Sequence, residues 1–219
     1  PRTSRVMTRG HTALHLHIAT VNGFPAPGTK LERGWASMKE GVEGYVNLTQ
    51  KLSNLGKDSI GKEKAVNYVW SAGPQICREL ISKAHLKISA SYSIPGSMNP
   101  KEIAATMEWL ICTNAFLNGD LNVKAHTFDK QQLFCHPIIK DLIISQWFGA
   151  KGEGVKYPEA FKGVPLPLLA LVATAVGFKN VTHIPTYSRY LFYMQKLQRL
   201  QKNCPTWYER MTKEMYQAV

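Results

Sequence analysis

Between Leu166 and Val176 the chain reads LPLLALVATAV, a run that is apolar on every side except at Thr174. A helix without a polar face has to be enclosed by other helices, because apolar surface left in water forgoes the burial that drives folding. The run falls short of the roughly 18 residues that a membrane span needs, and no other apolar run in the chain is longer. No membrane partner is expected. The segment is predicted to be the central helix of a core, ending at Gly177.

Elsewhere apolar positions recur at three- and four-residue spacing, with no convincing stretch of strict alternation. The expected class is therefore all-α: a single globular multi-helix domain built around a buried apolar helix near residues 166–176. With 219 residues and 44% hydrophobic content, the chain has enough material for such a core. Residues 1–34 read as a basic N-terminal segment or helix, and 35–219 as the helical domain proper.

Local signals place the other elements. A first helix is expected from Ser4 to Val21, weakened by Gly10, and NGFPAPG interrupts the chain before a second helix near Trp35. Gly34, Gly41 and Gly44 count against that second helix, and LSNLGKDSIGKEK reads as an exposed connection. Ser71 to Pro74 opens a helix in which Ile76, Leu80, Ala84 and Ile88 stack at four-residue spacing. Asn99-Pro100-Lys101-Glu102 has the form of a capping box with proline in the first turn, and Asn118-Gly119 supplies a stop. The residue before a proline avoids helical geometry, so in FCHPIIKDLIISQWF His136 sits where an N-cap belongs and Pro137 opens a helix that Gly149 closes. From Thr186 to Lys202 an amphipathic helix is expected, with Tyr190, Met194 and Leu197 inward and Arg189, Lys196, Arg199 and Lys202 outward. A last amphipathic segment after Pro205 carries Trp207, Met211 and Met215.

From Val69 onward the succession WSAGPQICRELISKAHLKISASY, NAFLNGD, FCHPIIKDLIISQWF and GVKYPEAFKGVPLPLLALVATAV, followed by a Tyr-rich helix, resembles a domain of unknown function common in mushroom-forming fungi. The most specific block runs from His136 through Val176. Members of that family continue into a longer acidic, Trp-Gly segment, which here is shortened to GFKNVTHIP. The resemblance implies a eukaryotic, non-secreted protein and carries no activity, cofactor or catalytic residue. The expected compartment is the nucleus or cytoplasm, in keeping with an opening that lacks the sustained apolar stretch and cleavage site of a secretory signal.

Motifs for chemistry are sparse. Cys77, Cys112, Cys135 and Cys204 contain no Cys-x-x-Cys pair and read as reduced thiols. Cys135 and His136 are adjacent, but neighbours at a helix entrance diverge and spacing fixes no third group beside them, so capping and packing are the better reading. His11 and His15 can share a helical face with His17 nearby, yet the HExxH glutamate and any close Cys or Asp ligand are missing. No metal and no cofactor are expected. A phosphate-loop GxxxxGK, a dinucleotide fingerprint and a GxSxG elbow are likewise missing, and nothing asks for an enzyme.

The functional signal is electrostatic. The net charge is +12, and no acidic residue occurs between Glu159 and Glu209, a stretch containing Lys162, Lys179, Arg189, Lys196, Arg199 and Lys202. Before Glu32 the chain carries Arg2, Arg5, Arg9 and Lys30. Clustered cations attract polyanions by neutralising phosphates and releasing counterions. The expectation is a non-enzymatic helical domain that binds nucleic acid or another polyanion through Arg189, Lys196, Arg199 and Lys202, joined by Arg2, Arg5 and Arg9. Tyr193 is its candidate for base stacking. No DNA-reading motif is present, so binding should be backbone-dominated and weakly sequence-selective. The alternative is a self-assembling or scaffold domain, a homo-oligomer, drawing on low charged content, on exposed positions near Met211 and Met215, and on an N-terminal segment poorly suited to burying itself.

Overall fold

The computed structural model describes residues 4–150, 152–177 and 186–217. Every named element among them is helical, and the β-structure is confined to an isolated bridge between Asn122 and Thr127. The all-α expectation holds. Contacts divide the chain into two compact units, residues 1–78 and 79–219.

The first unit contains α1 (Ser4–Thr20), α2 (Lys30–Val42), α3 (Val46–Lys57) and α4 (Ser59–Trp70), with the opening turns of α5 (Ala72–Ser91). α1 packs on α2, α3 and α4, burying Val6, Leu14, Ile18 and Ala19. The glycines that argue against α1 and α2 in isolation are what lets them meet. A Cβ on Gly41 would stand 2.6 Å from the carbonyl carbon and oxygen of Arg9, and one on Gly10 would stand 2.5 Å from Met38 Cγ. Glycine costs each helix roughly 1 kcal/mol in propensity, and the close backbone approach offsets that cost.

The expected exposed connection around residues 52–64 is corrected by the structure. α3 and α4 meet there, separated only by Asp58, whose carboxylate caps α4 by accepting from the Gly61 amide at 3.0 Å. Leu48 and Leu52 on α3, and Ala65, Val66 and Val69 on α4, are buried at helical spacing. Gly and Lys lie on the outside of these helices and mask the sparse apolar positions that do the packing.

The second unit begins within α5 and contains α6 (Pro100–Cys112), α7 (Pro137–Trp147), the single-turn α8 (Glu153–Lys156) and α9 (Pro158–Phe161), α10 (Leu166–Gly177), α11 (Thr186–Asn203) and α12 (Pro205–Gln217). Asn99 caps α6 in a complete capping box with Glu102. In α10 every residue from Pro167 to Gly177 is buried, as an apolar circumference demands. It packs on α7, through which Ile138, Ile139, Leu142, Ile143 and Trp147 enter the core, and on α11, which supplies Tyr190, Tyr193 and Leu197. Short α8 and α9 occupy the Gly- and Pro-rich stretch before α10, and Phe161 is inserted into the core there.

Candidate polyanion-binding surfaces

His136 forms the entry to α7, and the neighbouring Cys135 is partly buried. His136 lies at φ −61°, ψ 134°, outside the helix, and its Nδ1 accepts from the Ile138 amide at 3.3 Å. Its ring packs 4.7 Å from that of Tyr92, whose hydroxyl donates to the Phe116 carbonyl. Burial pushes the His136 pKa down to about 4, only partly opposed by Asp141. Burial pushes the thiols of Cys135 and Cys77 up to about 11, the opposite of what a reactive thiolate needs. The His11 ring lies tilted against those of His15 and Tyr68, with centroids 4.6 and 5.5 Å away. Among the described residues no group of three or more His, Cys, Asp or Glu side chains is placed to hold a metal ion.

The candidate cations fall into three kinds of place. Arg189 is buried, and its Nη1 donates to the carbonyl of Gly177, the last residue of α10. This corrects its assignment to a docking face. A helix end leaves carbonyls unsatisfied, and a buried α10 cannot give them to water, so a guanidinium from the neighbouring helix serves as the cap. Tyr193 is also withdrawn from the surface. It is 4% exposed and makes edge contacts with Phe116 and Phe134 at 6.3 and 6.4 Å. The buried arc of α11 is wider than the Tyr190–Met194–Leu197 line, and Tyr193 falls inside it.

Lys196, Arg199 and Lys202 do reach the outside of α11. Arg199 and Lys202 are exposed and Lys196 is half-buried, its ammonium 4.7 Å from the centre of the Phe192 ring. Burial moves the Lys196 pKa below the usual lysine value. At three-residue spacing each successive cation turns about 60° around the helix, so the three form a slanting strip. Among the described residues none of them has a carboxylate within ion-pair distance. Before the strip on the same helix come Tyr187, Leu191 and Phe192, at 51, 38 and 44% exposure. The aromatic candidates on the surface are thus Tyr187 and Phe192 in place of Tyr193.

Arg5 and Arg9 stand in the first unit, one helical turn apart on α1, and line an open cleft of about 730 Å³. Lys51 of α3 joins them, with Thr8, Gly44, Tyr45, Val46, Asn47 and Leu48 completing the wall. Arg9 lies over the Tyr45 ring, its Cζ 3.8 Å from the ring centre, and Nη1 donates to the Gly41 carbonyl at 3.5 Å. Lys51 and Tyr45 carried no sequence signal, because their partnership with Arg5 and Arg9 depends on α1 packing against α3. Arg2 and Lys179 lie outside the described residues.

Two positions invoked for self-association are likewise corrected. Met211 and Met215 are buried at 4 and 8% exposure, and α1 buries its apolar face within the first unit. No described helix is long and apolar enough to cross a membrane.

These features define a basic, all-helical protein whose exposed cations include a strip on α11 and a group lining one cleft, with others spread over the remaining helices and loops. The chain belongs to the family described as a domain of unknown function, DUF6532, whose model matches residues 9–179. The match begins well before Val69, where the sequence resemblance starts, and it ends before α11. Arg9 and Lys51 therefore lie within the family domain, whereas Lys196, Arg199 and Lys202 lie beyond it. No curated protein and no solved structure matches the chain.

Proposed function

We propose that the protein is a non-enzymatic binding protein for single-stranded nucleic acid, engaged through the outer face of α11. One observation carries the reading: among the described residues, Lys196, Arg199 and Lys202 have no carboxylate within ion-pair distance, and they stand on the same helix as the exposed rings of Tyr187 and Phe192. Cations that follow a backbone, next to aromatic faces on which bases stack, are the elements of sequence-tolerant single-strand binding. The reading takes the chain as an intracellular protein of a mushroom-forming fungus, in keeping with the resemblance of its His136–Val176 block.

Three phosphate contacts give a slope of about −2 in log affinity against log salt for a single strand. Mobility shift with a mixed-sequence single-stranded oligonucleotide, between low and moderate salt, measures it directly. Arg199→Gln with Lys202→Gln should leave a slope of about −0.7. An unchanged slope in that double variant, or undetectable binding by the parent at low salt, overturns the proposal. A second reading, self-association, draws on Tyr187, Leu191 and Phe192 as an exposed apolar patch. Light scattering showing a monomer at high protein concentration removes it.

A further inference from the structure

The cleft lined by Arg5, Arg9 and Lys51 differs in kind from the α11 strip. A convex helix face suits an extended chain of phosphates; a concave site with converging cations suits a compact one. We infer that this cleft binds a soluble polyphosphate, a small molecule bearing several phosphate groups in close succession.

Charge is the first support. Three cationic side chains line the cleft, and among the described residues no carboxylate does. Glu40, the acid one residue before Gly41 on α2, is committed to Arg33. Like charges held in a shared concavity repel one another, and an anion entering it relieves that repulsion as well as gaining its own contacts.

Preorganisation is the second. The Arg9 guanidinium is half-buried and held between the Tyr45 ring and the Gly41 carbonyl, which engages only one of its nitrogens. Its remaining donors form a planar fork matched to phosphate oxygens. Arg5 and Lys51 are exposed on the wall of the cleft. The helix end at Val46 would not make a site alone, since the wall acquires its character from cations delivered by two different helices.

Size is the third. About 730 Å³ is far more than one phosphate fills and lies within the range of pockets that take nucleotide-sized ligands. Within this chain the cleft is defined by local packing of α1 and α3, so the inference stands or falls separately from nucleic-acid binding at α11.

Sodium tripolyphosphate is the probe, titrated calorimetrically into the full chain at low salt. Saturable one-to-one binding is expected, at least tenfold weaker in Arg5→Gln with Lys51→Gln and unchanged in Arg199→Gln with Lys202→Gln. Arg5 and Lys51 are exposed, so the double variant should keep the parent's circular dichroism and melting temperature, which checks that lost binding is not lost folding. Equal affinity in the Arg5/Lys51 variant, or no saturable binding by the parent, overturns the inference. So does loss of tripolyphosphate binding in the α11 variant alone, because the anion would then sit on that strip. A nucleoside triphosphate run in parallel identifies the source of the phosphates: tighter binding than tripolyphosphate, still sensitive to Arg5 and Lys51, indicates that the cleft wall also touches the base.

Discussion

Residues 1–78 hold 11 basic and 5 acidic side chains and residues 79–219 hold 16 and 10, so each unit carries an excess of six cations, yet the two present it differently. In the first unit Arg5, Arg9 and Lys51 are gathered into one concavity by the crossing of α1 with its neighbours. In the second, Arg189 is taken inside as a helix cap, and Lys196, Arg199 and Lys202 lie along one outer helix face. Net charge sets how strongly a unit attracts polyanions at a distance; the packing of its helices sets what shape of polyanion it can hold.

The cores differ as well. The second unit is organised around the side chains of an apolar helix, whereas the first depends on glycines that bring two backbones together. This contrast can be tested by substitution. Leu169→Ala in fully buried α10 should give the largest loss, about 3 kcal/mol of unfolding free energy in a denaturant titration, since a cavity opens where neighbours cannot collapse. A loss under about 1 kcal/mol would mean that α10 is not the organising element.

Acid should also act on the second unit. His136 has its pKa lowered by burial to about 4 from 6.5, so below pH 6.5 the unfolded chain takes up a proton that the folded chain refuses. Stability is therefore complete above pH 6.5 and declines as pH falls towards 4, by an amount on the order of 3 kcal/mol if the whole shift is expressed. His136→Asn keeps a capping side chain and should flatten the melting temperature between pH 6.5 and 4. A profile unchanged by the substitution would show that other groups govern acid sensitivity.

In the first unit, Gly41→Ala should cost about 2 kcal/mol although it adds only a methyl group, because that methyl meets backbone that cannot rotate away. It should also weaken tripolyphosphate binding, since Arg9 is anchored to the Gly41 carbonyl. A neutral substitution would break the contrast between the two cores. The smallest effect belongs to Asn99→Ala, about 1 kcal/mol from the loss of an N-cap at an exposed helix start.

Much of the second unit was legible in sequence because its signals are local. The capping box at Asn99, the His136-Pro137 helix entry and the apolar circumference of α10 each need only a few consecutive residues, and each recurs in the fold. The first unit was harder to read. Gly10 and Gly41 look like defects until the partner helix is in place, and Leu48 and Leu52 are too sparse among Gly, Ser and Lys to announce α3.

The site residues divide along the same line. Periodicity placed Arg199 and Lys202 on the exposed face of α11, with Lys196 half-buried at its edge, because the two faces of one helix are written in one segment. It could not see that Arg189 would be drawn in to cap another helix, or that Tyr193 would fall within the buried arc.

Sequence alone thus determined the helical class, the enclosure of residues 166–176 and the excess of positive charge, all of which follow from residue chemistry and spacing over a turn or two. Tertiary structure alone decided which cations face solvent and which of them share a cleft, since Arg5, Arg9 and Lys51 are brought together only by helices distant in the chain. The reason is physical: burial and capping are properties of one helix, whereas convergence of charge is a property of how helices cross.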